Sequence, residues 1–232
     1  MSVNNPFFEI SLLPYQAPRF DAINDSHYRP AFDEAMRLKR ADIDAIIAQR
    51  AAPDFDNTVL ALEKSGAMLS RVSSVFFAMT SAHTNDDLQA LDEQFSTELA
   101  GLANDIWLND TLFARVEAVW QDREALDAES RRLTEEMYQH FVLAGARLNA
   151  DEKAELKALN TEAATLTSQF NQRLLAANKA GGLVVDNVHQ LDGLSAEEVA
   201  AAAHAAAEKG LTDRWLIPLL NTTQQPALAA LS

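Results

Sequence analysis

The chain has 232 residues, of which 48% are hydrophobic and 23% charged, as in a globular protein with a sizeable core and unlike a disordered one. Nineteen basic and thirty-four acidic residues give a formal net charge of -15, which repels nucleic acid and anionic membranes, so we expect neither as a partner. The absence of cysteine excludes disulfides and thiolate chemistry and is typical of a reducing compartment, so we expect a cytoplasmic protein.

The first thirty residues contain four of the seven prolines and no long apolar run. Pro6, Pro14 and Pro18 interrupt the apolar residues, so we expect neither a membrane helix nor a secretory signal in this segment. Only Pro53 lies between positions 31 and 217. Because proline interrupts regular structure, we expect an extended arm over residues 1–25, followed by a long helical region.

Four apolar stripes with helical spacing predict a helical body over residues 26–180. In the clearest one, apolar side chains recur every three or four residues from Leu88 to Ile106, which places them on one face of an α-helix. The stripes are Met68, Val72, Val75, Phe76 and Met79; Leu88, Leu91, Phe95, Leu99, Leu102 and Ile106; Leu133, Met137, Phe141, Ala144 and Leu148; and Leu156, Leu159, Ala163, Leu166, Phe170 and Leu174. We expect these helices to pack on one another. We also expect a core position for the aromatic residues Phe76, Phe77, Trp107, Phe113 and Trp120.

Glycines and short β-prone runs predict a mixed segment over residues 181–232. A capping box of Ser195 and Glu198 begins an alanine-rich helix. Residues 183–185 and 215–217 flank this helix and predict a small, hairpin-like pair of strands. The predicted fold class is therefore mainly α, with one small β element.

A last helix is expected to begin near Pro226, with the proline in its first turn. The chain stops at Ser232, barely one turn later, and such a short helix is marginal by itself. We therefore expect a truncation inside this helix and interpret the chain as the front part of a larger protein.

No catalytic motif is found in the chain. The five histidines are too far apart for the H-E-x-x-H motif that binds zinc on a helix. Glu136 and His140 are four residues apart, but two ligands do not form a zinc site, and a surface ion pair is the favoured interpretation. The serine-hydrolase, phosphate-loop and dinucleotide-binding motifs are also missing. We assign no catalytic or metal-binding residue and identify no substrate-binding residue.

Several runs spread over the whole chain carry a pattern that is more specific than any single motif. They are NPF at 5–7, LPY at 13–15, FDAI at 20–23, HYRPAFDE at 27–34, SSVFFAMTSAHTN at 73–85, NTEAATLTSQFN at 160–171 and WLIPLLNTTQQPAL at 215–228. Together they resemble the amino-terminal part of the thimet oligopeptidase and neurolysin family of zinc metallopeptidases. The resemblance is closest to the bacterial dipeptidyl carboxypeptidase, or peptidyl-dipeptidase, branch of that family.

This resemblance implies a mainly helical protein whose two lobes flank a deep channel. It also implies that one zinc ion is bound by an H-E-x-x-H helix of the later lobe, where an activated water attacks the peptide carbonyl and dipeptides are released from the free C-termini of short peptides. The present chain would be most of the first channel wall, without zinc and inactive by itself. Its partners would be the later catalytic lobe and short peptide substrates. Apolar surface that this lobe covers would be exposed in the isolated chain and would favour self-association.

Two alternative functions stay open. The related oligopeptidase branch of the same family cuts peptides at a different place, and the match at residues 27–34 favours the dipeptidase branch over it. A free-standing helical module would bind peptides without cutting them, which is compatible with the missing catalytic motif. An H-E-x-x-H motif encoded downstream of residue 232 would exclude this second alternative.

Overall fold

The computed structural model describes residues 5–231 and is mainly helical. In this range the elements are α1 Tyr28–Ile47, α2 Ala61–Lys64, α3 Ala67–Ala82, α4 Asp86–Trp107, α5 Asp110–Gln121, α6 Ala128–Leu143, α7 Ala150–Ala180, β1 Gly182–Val185, α8 Ala196–Glu208, β2 Trp215–Pro218 and α9 Asn221–Ala230. The two strands form one antiparallel sheet. The predicted mainly α fold with a small β element is therefore confirmed. Residues 1–4 of the predicted arm and the terminal Ser232 lie outside the described residues.

Two compact units divide the chain inside helix α7, between Ser168 and Gln169. The first unit contains the N-terminal segment, α1 to α6 and the first part of α7, whereas the second contains the rest of the chain. The sequence predicted different boundaries, near residues 25 and 180. The N-terminal segment shares the first unit because Asn5 and Phe7 are buried in it.

Aromatic side chains fill the core of the first unit, in which α1 contacts α2, α3, α4 and α5. Phe32 of α1 stacks on Phe95 of α4 with ring centroids 3.9 Å apart. Phe76 of α3 meets these two rings edge-on, at 5.4 and 5.0 Å. Stacked and edge-on arrangements are the ones that aromatic rings favour. The predicted core position is confirmed for Phe76 and Phe113, while Phe77, Trp107 and Trp120 are partly buried and pack against this core.

The apolar stripes predicted for α3, α4 and α6 contribute to this core. Their buried members are Val72, Val75, Phe76, Leu88, Phe95, Leu102, Ile106, Met137 and Phe141. Helix α6 ends at Leu143, so the last two members of its predicted stripe lie in the following turn. Gly145 in that turn has a φ of 100°, which residues with a side chain rarely adopt. This backbone conformation lets the chain turn towards α7.

Helix α7 places polar side chains against the first unit and leaves its apolar stripe exposed. Its polar contacts in that unit are Lys153 with Asp110, Asn160 with Asn104 at 2.7 Å, Thr165 with Thr97 at 3.4 Å and Ser168 with Asp92 at 3.0 Å. Leu159, Leu166 and Phe170 are exposed. The prediction that this stripe is buried against other helices is therefore wrong. The contacts on α4 and α5 are polar, and buried polar groups require hydrogen-bonding partners.

No helix in the described part of the chain has both the length and the apolar character that crossing a bilayer requires.

The second unit contains the antiparallel sheet, in which Gly182 faces Pro218 and Val185 faces Trp215. Its small apolar core is formed by Val185, Leu191, Ile217 and Ala227. The predicted capping box of α8 is confirmed, because the Ser195 hydroxyl accepts a hydrogen bond from the Glu198 N–H at 3.3 Å and the Glu198 carboxylate accepts one from the Ser195 N–H at 2.8 Å.

The last helix begins at Asn221, five residues before the predicted start at Pro226, so that prediction is wrong. The cause is a turn directly after β2, in which the Thr223 hydroxyl donates to the Pro218 carbonyl oxygen at 2.9 Å. The Gln224 N–H then donates to the Leu220 carbonyl oxygen at 2.7 Å and begins the helical hydrogen bonding. Pro226 lies inside the helix, where it has no N–H to donate.

Candidate functional site

Glu136 and His140, the pair considered as metal ligands, have different partners in the structure. Glu136 forms an ion pair with Arg132, one turn earlier on α6. The His140 ring contacts Trp107 with centroids 4.2 Å apart. The two side chains thus belong to a surface ion pair and an aromatic contact.

The other histidines lie at separate places in the two units. His27 is buried, and its Nδ1 accepts a hydrogen bond from the Asn24 N–H at 3.1 Å. His83, His189 and His204 are exposed. Within residues 5–231, no three histidine, cysteine, aspartate or glutamate side chains come together as metal ligands. The described residues therefore do not fit the zinc ion that the family resemblance implies.

A lysine and a serine form a close pair where α1 meets the end of α2. Lys39 Nζ donates to the Ser65 hydroxyl at 2.5 Å and to the Ser65 carbonyl oxygen at 3.2 Å. The Ser65 hydroxyl donates in turn to the Leu62 carbonyl oxygen at 2.5 Å. Burial lowers the pKa of the Lys39 ammonium, although Asp42 and Glu63 act in the opposite direction.

Serine beside lysine can form a nucleophilic pair in enzymes. In this protein, however, both side chains donate hydrogen bonds to carbonyl groups at the C-terminus of α2, as in a helix cap. We therefore assign Lys39 and Ser65 a structural role. No sequence pattern indicates this pair, because its members are 26 residues apart and belong to no motif.

A polar groove of about 580 Å³ lies among α1, α4, α5 and α7 in the first unit. Arg40 Nη1 lies 2.8 Å from the Asp105 carboxylate, and Lys157 Nζ lies 3.8 Å from the same group. Asp44 also lines the groove. Since one carboxylate engages both cations, these side chains form a network of surface ion pairs. The groove can hold a polar ligand, but it contains no paired nucleophile and base.

The run at residues 27–34, which carries much of the resemblance, anchors the N-terminal segment and the start of α1. Tyr28 is buried between Phe7 and Phe76, with ring centroids 5.6 and 5.1 Å away. Burial raises the pKa of the Tyr28 hydroxyl. Arg29 contacts the Glu98 carboxylate at 2.9 Å. These residues act by packing and ion pairing, so the run has a structural role.

Comparison with known proteins gives matches over nearly the whole chain. Dipeptidyl carboxypeptidase of Salmonella typhimurium is 69% identical over 229 residues, which are 98% of this chain and 34% of that protein. Dipeptidyl carboxypeptidase of Escherichia coli is 68% identical over 231 residues, 99% of this chain and 34% of that protein. Oligopeptidase A of Escherichia coli is 23% identical over 210 residues, 90% of this chain and 31% of that protein. No protein-family model matches the chain.

The two dipeptidyl carboxypeptidases are far more similar to this chain than oligopeptidase A is. The chain spans about one third of the length of each of these relatives. The predicted resemblance to the bacterial dipeptidyl carboxypeptidase branch is thereby confirmed over nearly all residues of the chain.

Proposed function

We propose that this chain is the helical, non-catalytic part of a longer zinc peptidase that removes dipeptides from the free C-termini of short peptides. The observation that carries this proposal is the identity of 68 to 69% with two proteins named dipeptidyl carboxypeptidase, of which the chain spans only 34%. The absence of a metal-ligand cluster from residues 5–231 is compatible with such a part.

Zinc and the groups that activate water would belong to the part of the relatives that this chain does not span. Bound zinc would polarise the peptide carbonyl and lower the pKa of a water molecule there. The residues of this chain would form one wall of the channel that leads to it. By its shape, such a wall admits flexible short peptides and excludes folded proteins. The whole enzyme would act in peptide breakdown in the cytoplasm.

The proposed partner of the chain is the rest of the longer polypeptide. Helix α7 supports this proposal, because its polar face packs in the first unit while Leu159 and Leu166 are exposed. An apolar stripe that faces water marks a surface that is covered in the functional molecule. In the isolated chain the same surface would drive self-association.

Two alternatives are less well supported. Cleavage by the related oligopeptidase branch would agree with the match to oligopeptidase A, but that identity is only 23%. A free-standing peptide-binding module would agree with the polar groove beside Arg40 and Asp105. That alternative leaves unexplained why the two relatives at 68 to 69% identity, of which the chain spans 34%, are both named as peptidases.

Metal content and peptide hydrolysis test the non-catalytic role directly. The isolated chain is dialysed with zinc and then against metal-free buffer, and we expect no stoichiometric zinc and no hydrolysis of a short fluorogenic peptide. The Escherichia coli relative is the positive control for dipeptide release. One tightly held zinc ion per chain, or dipeptide release by the isolated chain, would contradict the proposal.

A hybrid protein tests whether the chain can function as part of a longer enzyme. In this hybrid, which we call the joined polypeptide, the chain replaces the matching third of Escherichia coli dipeptidyl carboxypeptidase, to which it is 68% identical. We expect the joined polypeptide to release dipeptides, because the replaced third contributes shape and the remainder contributes the chemistry.

A further inference from the structure

Residues 8–20 form a segment that is fixed at both ends, which we call the N-terminal loop. At its start, Phe7 is buried against Tyr28, and Arg71 donates a hydrogen bond to the Phe7 carbonyl oxygen at 2.9 Å. Beyond its end, Ile23 packs against the core of the first unit. The position of the loop on the first unit is therefore defined by buried contacts on each side of it.

The N-terminal loop exposes a group of large apolar side chains. They are Phe8, Ile10, Leu12, Leu13, Tyr15 and Phe20. Leu12 is 99% exposed and Tyr15 is fully exposed, so neither contributes to the folded core. A single exposed apolar residue is ordinary, whereas several large ones within one short segment indicate an interaction surface.

The backbone of the loop holds these side chains in a defined shape. Tyr15 and Gln16 have φ angles of 58° and 56°, the left-handed region that residues other than glycine adopt rarely. The Gln16 N–H donates to the Leu13 carbonyl oxygen at 2.9 Å, and the Ala17 N–H donates to the Pro14 carbonyl oxygen at 3.2 Å. An unfavourable backbone that presents an exposed tyrosine is typical of a binding segment.

Charge and chain length favour one occupant for this surface. The loop itself contains one acidic residue, Glu9, and one basic residue, Arg19, whereas the whole chain carries a formal charge of -15. A second copy would therefore be repelled by the charge of the whole chain, although the loop itself has no net charge. The dipeptidyl carboxypeptidases, in contrast, contain about twice as much further polypeptide as the 34% that this chain spans.

We propose that the N-terminal loop is a preformed docking element for the part of the longer polypeptide that this chain does not span. The occupant presents an apolar depression that receives Leu12 and Tyr15 and removes both side chains from water. The inference rests on the proposed function, since it identifies one contact between the wall and the remainder of the enzyme.

Cysteine labelling tests this inference, because the chain contains no cysteine of its own. Leu12→Cys and Tyr15→Cys are introduced separately, and the rate of maleimide labelling at each position is followed by mass spectrometry of the corresponding peptide. Because neither side chain is buried, the substitutions leave the fold of the isolated chain intact. The matched control is Leu143→Cys, an apolar position on α6 that is 78% exposed and lies outside the loop.

We expect labelling at both loop positions to be at least about tenfold slower in the joined polypeptide than in the isolated chain, as expected for a covered site that opens only transiently. Leu143→Cys is expected to react at similar rates in both proteins. Equal rates at the loop positions in the two proteins would overturn the inference. Labelling of the isolated chain is measured at a low protein concentration, so that self-association through exposed apolar surface does not slow the reaction.

Dipeptide release by the joined polypeptide without introduced cysteines is measured in parallel and reports on the proposed function alone. Protected loop positions without dipeptide release would support the docking element and contradict the proposed function. Dipeptide release with unprotected loop positions would support the proposed function and contradict the docking element.

Discussion

Asp92 of α4 carries a partly buried carboxylate that accepts a hydrogen bond from the Ser168 hydroxyl at 3.0 Å. Burial raises the pKa of Asp92 above its ordinary value, and the Ser168 hydrogen bond only partly offsets that effect. Asp92 has a higher pKa in the folded chain than in the unfolded chain. The free energy of unfolding therefore falls as the pH rises from the unfolded pKa to the folded pKa. The full destabilising effect of Asp92 is present at neutral pH.

Replacing this carboxylate should stabilise the chain at neutral pH. Asp92→Asn keeps an oxygen that accepts the Ser168 hydrogen bond and removes the charge. We expect a higher free energy of unfolding than for the parent at about pH 7, and a smaller difference at about pH 4, where the carboxyl group of the parent takes up a proton. Urea unfolding at both pH values measures the difference, and a loss of stability at neutral pH would contradict the account.

Asp127 provides a control of opposite sign. Its carboxylate caps α6 by accepting hydrogen bonds from the Glu129 and Ser130 N–H groups, at 3.0 and 3.1 Å. The hydrogen bonds of Ser130 hold the pKa of Asp127 below its ordinary value, so its stabilising effect is present above the unfolded pKa and is lost as the pH falls. Asp127→Asn should therefore reduce stability at neutral pH.

Local polar contacts could be predicted from the sequence, whereas distant ones could not. The pair of Asn149 and Glu152 forms both reciprocal hydrogen bonds, each at 3.0 Å, as its three-residue spacing predicts. Lys153 and Asp110 are 43 residues apart, and their ion pair depends on how α7 meets α5. No spacing rule relates positions that only the tertiary fold brings together.

Among the elements, α7 is the one whose packing differs most from its sequence pattern. Periodicity predicts that a helix forms and which side chains share a face. It does not determine which neighbour covers that face. Residues of α7 that contact α4 and α5 are polar, so the apolar stripe with Leu159 and Leu166 is left exposed in this chain. For α3 and α4, pattern and packing agree because their stripes face the aromatic core.

Gly145, in the turn between α6 and α7, is required by the backbone. At a φ of 100°, an added Cβ would lie 2.7 Å from Leu156 Cδ2 and 3.0 Å from Leu148 Cδ1. Gly145→Ala should therefore lower the free energy of unfolding by about 1 to 3 kcal/mol, through backbone strain and crowding. Thermal and urea unfolding measure this change.

Gly101 is the matched control for that substitution. It lies within α4, where an added Cβ would have no atom within 4 Å apart from its chain neighbours and the adjacent backbone of the helix. Gly101→Ala should raise the free energy of unfolding by about 0.5 to 1 kcal/mol, because alanine favours the helix. Equal effects of the two substitutions would contradict the assigned role of the Gly145 turn.

The charge of the chain and its exposed apolar surface have opposite effects on self-association. The formal charge of -15 repels a second copy, while exposed side chains such as Leu166 attract one. Salt shortens the range of the repulsion, from about 10 Å at 0.1 M to about 3 Å at 1 M. Self-association of the isolated chain should therefore increase with salt concentration.

Sedimentation velocity at low and high salt measures this association. Leu166→Gln should weaken it because the substitution interrupts the exposed stripe of α7, whereas the control Leu143→Gln should have little effect. A monomer at every salt concentration would show that the exposed apolar surface does not drive association.

The general character of the molecule could be predicted from the sequence, because helical periodicity, caps and the run at residues 27–34 are continuous in the chain. That the chain contains no catalytic or metal-binding residue stays a prediction, which metal analysis of the isolated chain tests. The exposed N-terminal loop could not be predicted, since an apolar residue in the sequence does not reveal what covers it.

We propose that this chain supplies shape to a peptidase whose chemistry lies in the remainder of the polypeptide. The most direct measurement is dipeptide release, in the presence of zinc, from a short peptide with a free C-terminus and from the same peptide with an amidated C-terminus. We expect the isolated chain to release no dipeptide from either peptide and the joined polypeptide to release dipeptides from the free form only. Dipeptide release by the isolated chain, or none by the joined polypeptide, would contradict the claim.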